Sequence, residues 1–415
     1  MGEFKLIMRH TRVLIVLLFV ISQTLSSQTS NIGEFSIKEN TTVSVLKSLN
    51  NKVSSDFIND GELYLHSHLE NLGTFTFLST LSSSMHFVGN TLQEIQGNEL
   101  IEINKLILKN TSEGGILLDN DISIKTEGDF TDGIMHNRTT DGTITFLKEA
   151  GAIHTSNGSF VDGSVEKLGD VEFVYPVGAE EYYRKCKITS PEKVTDIFTS
   201  EYEKKSSNTQ YLHKLKENVV LFIDTKEYWE IRRDGGNSEV LITLYWDENT
   251  TSPEILEGSK TSIHIVRWDA ENNLWVDEGG LVNESENSVT TVLKPKKYGI
   301  FALAKIKEDL VFLDGCLTVY NAVTNNEDSV NEYLRIKCIE KYPNTLDIFN
   351  RWGVKVFSTI NYNNDDNAFR GISEGRGTFM KQKKLPSGTY YYILNFEYEG
   401  KMYKKVSYLY INNGE

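Results

Sequence analysis

Apolar and polar positions alternate over short runs along nearly the whole chain of 415 residues, and clusters of Gly, Asn, Asp and Ser separate the runs. Side chains two residues apart share one face of a strand, whereas a helix repeats its apolar face every three or four residues. The pattern predicts an all-β protein. In the first part, Asn59-Asp-Gly61-Glu-Leu63-Tyr-Leu65 is echoed twelve residues on by Asn71-Leu-Gly73-Thr-Phe75-Thr-Phe77. A tight turn followed by a short strand cannot bury its apolar face alone, so two copies predict stacked rungs. Leu106-Ile-Leu108, Ile116-Leu-Leu118, Ile122-Ser-Ile124 and Ile144-Thr-Phe146 fit the same scheme loosely. Residues 31–165 are read as an irregular parallel β-solenoid, with an antiparallel sandwich as the alternative.

From about residue 166 the strands lengthen. Val240, Ile242, Leu244 and Trp246 share one face, as in a strand packed against a second sheet. Residues 166–305 predict a β-sandwich whose longest loop is Glu203 to Gln210, and Lys305-Ile-Lys-Glu-Asp309 reads as a linker. In the last domain, residues 310–415, Leu346 and Ile348 alternate before Asn350-Arg351-Trp352-Gly353, and Val354 and Val356 continue the alternation after it. Asn350 and Gly353 suit a tight connection. Trp352 is expected to fold its ring over the adjoining core, because an aromatic of that size buries roughly 150–250 Å². Leu385-Pro386-Ser387-Gly388 reads as a turn. Tyr390, Tyr392, Leu394, Phe396 and Tyr398 then share one strand face, and Met402, Lys404, Val406 and Tyr408-Leu-Tyr410-Ile411 form a last hairpin arm.

The two ends and the charge limit where such a chain can act. Lys5, Arg9 and Arg12 precede the apolar run Val13 to Ile21 and the polar Ser22-Gln-Thr-Leu-Ser-Ser27, the pattern of a secretory signal peptide over residues 1–27. The run is too short for a hydrocarbon core about 30 Å thick, which needs about 20 helical residues. No cysteine follows it to accept a lipid, and no later segment is long and apolar enough to span a membrane. The formal net charge of -15 would repel nucleic acid and anionic lipid. Of the three cysteines, Cys186, Cys316 and Cys338, at most one pair can form within the chain; isolated thiols are favoured over a Cys316–Cys338 bridge.

Candidate chemistry is sparse. His66 and His68 share a strand face and could begin a metal site, but no third ligand is evident. Asp119, Asn120, Asp121, Asp129, Asp132, Asp365 and Asp366 offer oxygens for calcium without the regular loop that such a site requires, so no cofactor is expected. Neither a nucleophile elbow, nor a zinc-protease helix, nor a phosphate loop occurs. Trp268 and Trp275 could stack on sugar rings, although packing between sheets is the commoner use. Two classes stay open. One is a non-catalytic surface protein, an adhesin or structural module; the other is a secreted polysaccharide-binding protein or hydrolase with a site in residues 31–305.

The last block is more specific. Val319-Tyr-Asn-Ala-Val323, Ile339-Glu-Lys-Tyr-Pro343, Ile348-Phe-Asn-Arg-Trp-Gly353, Phe369-Arg-Gly371, Leu385-Pro-Ser-Gly-Thr-Tyr-Tyr391 and Lys405-Val-Ser-Tyr-Leu-Tyr-Ile-Asn412 follow one another over residues 317–412. This block resembles the gliding-motility-associated C-terminal domain, the type B sorting domain of proteins exported through the type IX secretion system of Bacteroidota. The resemblance implies an Ig-like β-sandwich read by the outer-membrane export machinery, with release or surface attachment to follow. The residues that carry it are Asn350, Arg351, Trp352, Gly353, Leu385, Pro386, Gly388, Thr389, Tyr390, Lys405, Tyr408, Tyr410 and Ile411. Two departures stand out. Thr324-Asn-Asn-Glu-Asp-Ser-Val-Asn-Glu332 replaces a loop usually rich in Gly and Asp, and Ser407 stands where glycine is common. The middle segment resembles, more loosely, stretches that precede such domains in flavobacterial surface proteins. Expected partners are the export machinery and, outside the cell, polysaccharide or other surface proteins.

Overall fold

The computed structural model describes residues 28–307, 316–324, 331–373 and 384–412. The signal-peptide stretch 1–27, residues 308 and 309 of the expected linker and residues 325–330 of the departing loop lie outside them. Strand accounts for 52% of the chain and helix for 4%, as the alternation predicts, and a β-solenoid of about six turns covers residues 28–167. Two compact units meet in sequence at Thr143 and Ile144.

In the first unit every rung contributes short strands that pair in parallel with the rung before. Gln28–Asn31 pairs with Ser48–Asn51, and that strand with Leu69–Asn71. Glu34–Ile37 pairs with Asp56–Asn59, and Thr42–Val45 with Glu62–Leu65. This parallel order removes the antiparallel alternative. It also corrects the meaning of the twelve-residue echo. Glu62–Leu65 stacks on Thr42–Val45, and Thr74–Thr76 stacks on Asp56–Asn59, so the two copies are successive corners of the coil rather than stacked rungs. What repeats is the corner itself. A Cβ at Gly61 would lie 2.3 Å from the Thr41 carbonyl, and one at Gly73 would lie 2.4 Å from the Ser55 carbonyl, so each corner admits only glycine against the rung before.

Two ladders run along the rungs. Asn31 Nδ2 donates to Asn51 Oδ1 at 2.9 Å, Asn51 Nδ2 to Asn71 Oδ1 at 2.8 Å, and Asn71 Nδ2 to the Glu99 carbonyl at 3.0 Å. Asn51 and Asn71 are fully buried, and these bonds supply the partners that burial of an amide demands. Beside them, Phe57 stacks on Phe75 with centroids 4.5 Å apart and meets the tilted ring of Phe35 at 5.1 Å.

In the second unit, the middle region is built from antiparallel strands. Ile197–Glu203, Tyr228–Gly235, Gly299–Ile306, Ile263–Asp269 and Leu274–Asp277 pair in that order. A second set runs Phe173–Tyr175, Cys186–Ile188, Ile242–Tyr245, Ser288–Thr290 and Leu281–Asn283. Val240, Ile242, Leu244 and Trp246 are buried as expected, and so are Thr243 and Tyr245 between them. Lys305 and Ile306, read as the start of a linker, instead complete a strand. A buried lysine is tolerable there because its ammonium finds backbone acceptors: Lys305 Nζ donates to the carbonyls of Glu257 and Ser259, each at 2.6 Å. Lys167 uses the same device, donating to the carbonyls of Leu147, Lys148 and Ala150 at 2.7 to 2.9 Å; burial pushes its pKa down to about 8.

The last domain is a five-stranded sheet in the order Ala322–Thr324, Lys401–Asn412, Gly388–Tyr398, Asn344–Phe349 and Lys355–Ile360, with a smaller pair, Thr318–Val319 and Ile336–Lys337. Leu346, Ile348, Tyr392, Leu394, Phe396, Leu409 and Ile411 fill its core. Cys316 and Cys338 form a disulfide with Cα atoms 5.8 Å apart, which corrects the expectation of isolated thiols. Antiparallel pairing of Thr318–Val319 with Ile336–Lys337, which the two cysteines flank, brings together residues that the spacing alone did not. Cys186 is a buried thiol 3.0 Å from the Ser200 hydroxyl.

Candidate sorting interface

The tetrapeptide Asn350 to Gly353 closes the hairpin between Asn344–Phe349 and Lys355–Ile360. Asn350 holds it. Its Oδ1 accepts the amides of Trp352 and Val354, both at 3.0 Å, while its carbonyl accepts Gly353 N–H at 2.9 Å. Gly353 takes φ +74°, the left-handed region that suits glycine. With the turn secured by a side-chain amide, no ring is needed to hold it. Trp352 is 62% exposed, and the Arg351 guanidinium lies 4.3 Å from its ring centroid. The expectation of a ring folded onto the core is therefore wrong. A register shift after Ile348 contributes, since it turns Val354 out to 42% exposure while Val356 stays buried.

The other motif residues sort by task. Leu385, Tyr390 and Ile411 are buried, and Tyr390 donates its hydroxyl to the Pro386 carbonyl at 3.0 Å. Gly388, at φ +152°, opens the strand that follows the Leu385-Pro386 turn. Thr389, Tyr408 and Tyr410 are exposed, and Lys405 is half-buried. Register brings these pieces to one end of the sheet. Phe349 pairs with Tyr391, Thr389 with Tyr410 and Gly388 with Ile411. Burial raises the Tyr390 pKa while the nearby charge of Arg351 opposes the rise, so the hairpin turn and the Leu385–Tyr390 segment are electrostatic neighbours. Segments separated by up to sixty residues in sequence thus present Arg351, Trp352, Thr389 and Tyr410 together.

Trp352→Ala is accordingly expected to change the stability of this domain by no more than about 0.5 kcal/mol, the scale of a surface substitution. Thermal unfolding of the full chain checks it; a loss of several kcal/mol would mean that the ring packs.

Sequence reasoning missed Asn344. Its buried amide donates to the carbonyls of Tyr342 and Tyr362 at 3.0 and 3.2 Å and accepts Tyr362 N–H at 2.8 Å, pinning the segment after the hairpin. A lone asparagine opening a strand carries no sequence signal for this role.

Three of the candidate metal ligands have other partners. His66 Nε2 sits 3.0 Å from the Ser44 hydroxyl and His68 Nδ1 sits 3.7 Å from Glu94. Asp121 accepts Thr143 N–H at 2.9 Å. Among the described residues, no group of three or more His, Cys, Asp or Glu is placed to hold a metal. Trp275 is fully buried, donating Nε1 to the Tyr211 carbonyl at 3.1 Å, and the half-buried Trp268 packs 5.7 Å from it, so this pair serves the core. No helix among the described residues is long and apolar enough to cross a membrane.

The buried ion pair of Arg184 with Glu227 is closed by its own hydrogen bonds. Both residues are buried, and each Glu227 oxygen already accepts two donors.

No curated protein and no solved structure matches the chain. Residues 317–411 match the family model of the CHU_C type IX secretion signal domain, so the C-terminal sheet is a sorting domain, which implies export as a type IX cargo, contact with the secretion machinery and a secreted or cell-surface location.

Proposed function

We propose that this chain is a non-catalytic module, an adhesin or structural element, that works outside the cell. Export proceeds in two stages. Residues 1–27 act as a signal peptide for transfer to the periplasm, and the sorting domain then directs passage through the outer membrane. The observation that carries the reading is the family match over residues 317–411, joined to the use that the first unit makes of its polar side chains. Asparagines that would otherwise be free to bind a ligand are committed to the ladder, and the aromatic rings are committed to stacking. Such an interior favours a stiff body over a reactive cleft. The antiparallel strands of the middle region are read as a sandwich.

Protease treatment of intact cells tests the location. Added protease is expected to digest the cell-associated protein, or the protein is found in the medium. A chain fully protected inside intact cells would overturn the reading.

A further inference from the structure

Three carboxylates of the middle region cluster beside the strand Leu274–Asp277. Asp277 is 1% exposed; its Oδ1 lies 2.8 Å from His264 Nδ1 and accepts Gly279 N–H at 2.9 Å. Glu278 Oε1 accepts Arg267 Nε at 2.7 Å, and Glu217 Oε2 accepts the Asp277 amide at 2.9 Å. His264 and Arg267 thus serve two of the three. A further cation comes from the sorting domain, where Lys404 Nζ donates to the Asp277 carbonyl at 2.7 Å. Burial pushes the Glu217 and Glu278 carboxyls up, and the charge of Lys404 opposes that rise in both. Val406 lies two residues on and hence on the same strand face. It approaches Gly279, where a Cβ would meet it at 3.1 Å in a backbone of φ +85°.

Lys404 and Val406 make the direct approaches. A cleft of about 620 Å³, lined among others by Thr261, His264, Leu281, Tyr391 and Tyr408, leads away from them. Tyr410 stands six residues beyond Lys404, or about 20 Å at ~3.4 Å per strand residue. Of the sorting-motif residues, Thr389, Lys405 and Tyr408 line this cleft, whereas Trp352 and Tyr410 lie outside it and are exposed.

We propose that this acidic seat is a docking site for the last strand of the sorting domain, anchored by Lys404. The export machinery then meets a sorting domain held at its Lys404 end and open at its Trp352 and Tyr410 end; this second half rests on the export reading above.

Zero-length carbodiimide coupling of the full chain tests the seat. An amide between Lys404 and Glu217 or Glu278 is expected in the peptide map, and Lys404→Gln is expected to abolish it. Small-angle scattering should show Lys404→Glu expanded relative to the original chain, and Lys404→Glu combined with Glu217→Lys compact again. Absence of the amide, or scattering unchanged by Lys404→Glu, overturns the seat. For the second half, Lys404→Glu should be exported normally, while Trp352→Glu should be exported several-fold less with an unchanged melting curve. The reverse order overturns it. Normal export of a chain lacking residues 317–415 would instead defeat the sorting assignment and leave the seat standing.

Discussion

Deleting Leu317 to Glu415 is expected to leave the remaining chain in the periplasm, with none reaching the medium or the cell surface. The expectation is all or none because the motif belongs to a folded end of a sheet and to no single linear segment. Asn350 shapes the hairpin turn, register places Thr389 beside Tyr410, and the core beneath holds both. No fragment of the motif survives loss of that core. Ile348→Asp, which would bury an unpaired carboxylate at a fully buried position, should reproduce the deletion by unfolding the sheet. Fractionation with immunodetection of periplasm, membrane and medium gives the answer. Efficient appearance of the truncated chain outside the cell would remove the sorting role.

The strands of this domain were legible in the sequence because one face carries a continuous row of buried side chains. Tyr390, Tyr392, Leu394 and Phe396 alternate, and all four are buried. The alternation failed at Val354, which a backbone irregularity after Ile348 turned outward; pattern alone carries no information about such a shift. The tryptophan turn misled for a related reason. Ring size argued for burial, while the feature that holds the turn is the short Asn350 amide, whose two backbone bonds need geometry to be recognised. In the solenoid, the twelve-residue echo marked true corners, yet the stacking interval is set by what lies on top of what. The interval is twenty residues along the asparagine ladder, from Asn31 to Asn51 to Asn71. Contacts between distant segments were the least legible. Cys316 with Cys338 and Lys404 with Asp277 join residues whose types are unremarkable one at a time.

Glu227→Ala is expected to destabilise the second unit by about 3–5 kcal/mol, the cost of leaving the other half of a buried ion pair uncompensated. Arg184 Nε and Nη2 each donate to Glu227 at 3.0 Å, with both residues removed from solvent. The alanine would leave the buried guanidinium with the Tyr245 carbonyl as an acceptor and no counter-charge. It would also remove the carboxylate to which the Tyr202 hydroxyl donates at 2.8 Å. Asp224 offers an internal check. Burial pushes its pKa up to about 6, with the charge of Glu227 adding to the rise, so removing that charge should bring the Asp224 pKa down toward its ordinary value. Replacing both partners by apolar residues of similar volume, Arg184→Met with Glu227→Leu, should recover much of the loss, because no charge is then left unpaired. Denaturant unfolding of the single and double variants separates these terms. A single variant as stable as the original, or a double variant no better than the single, would show that the pair is not the closed, fully satisfied cluster that its hydrogen bonds describe.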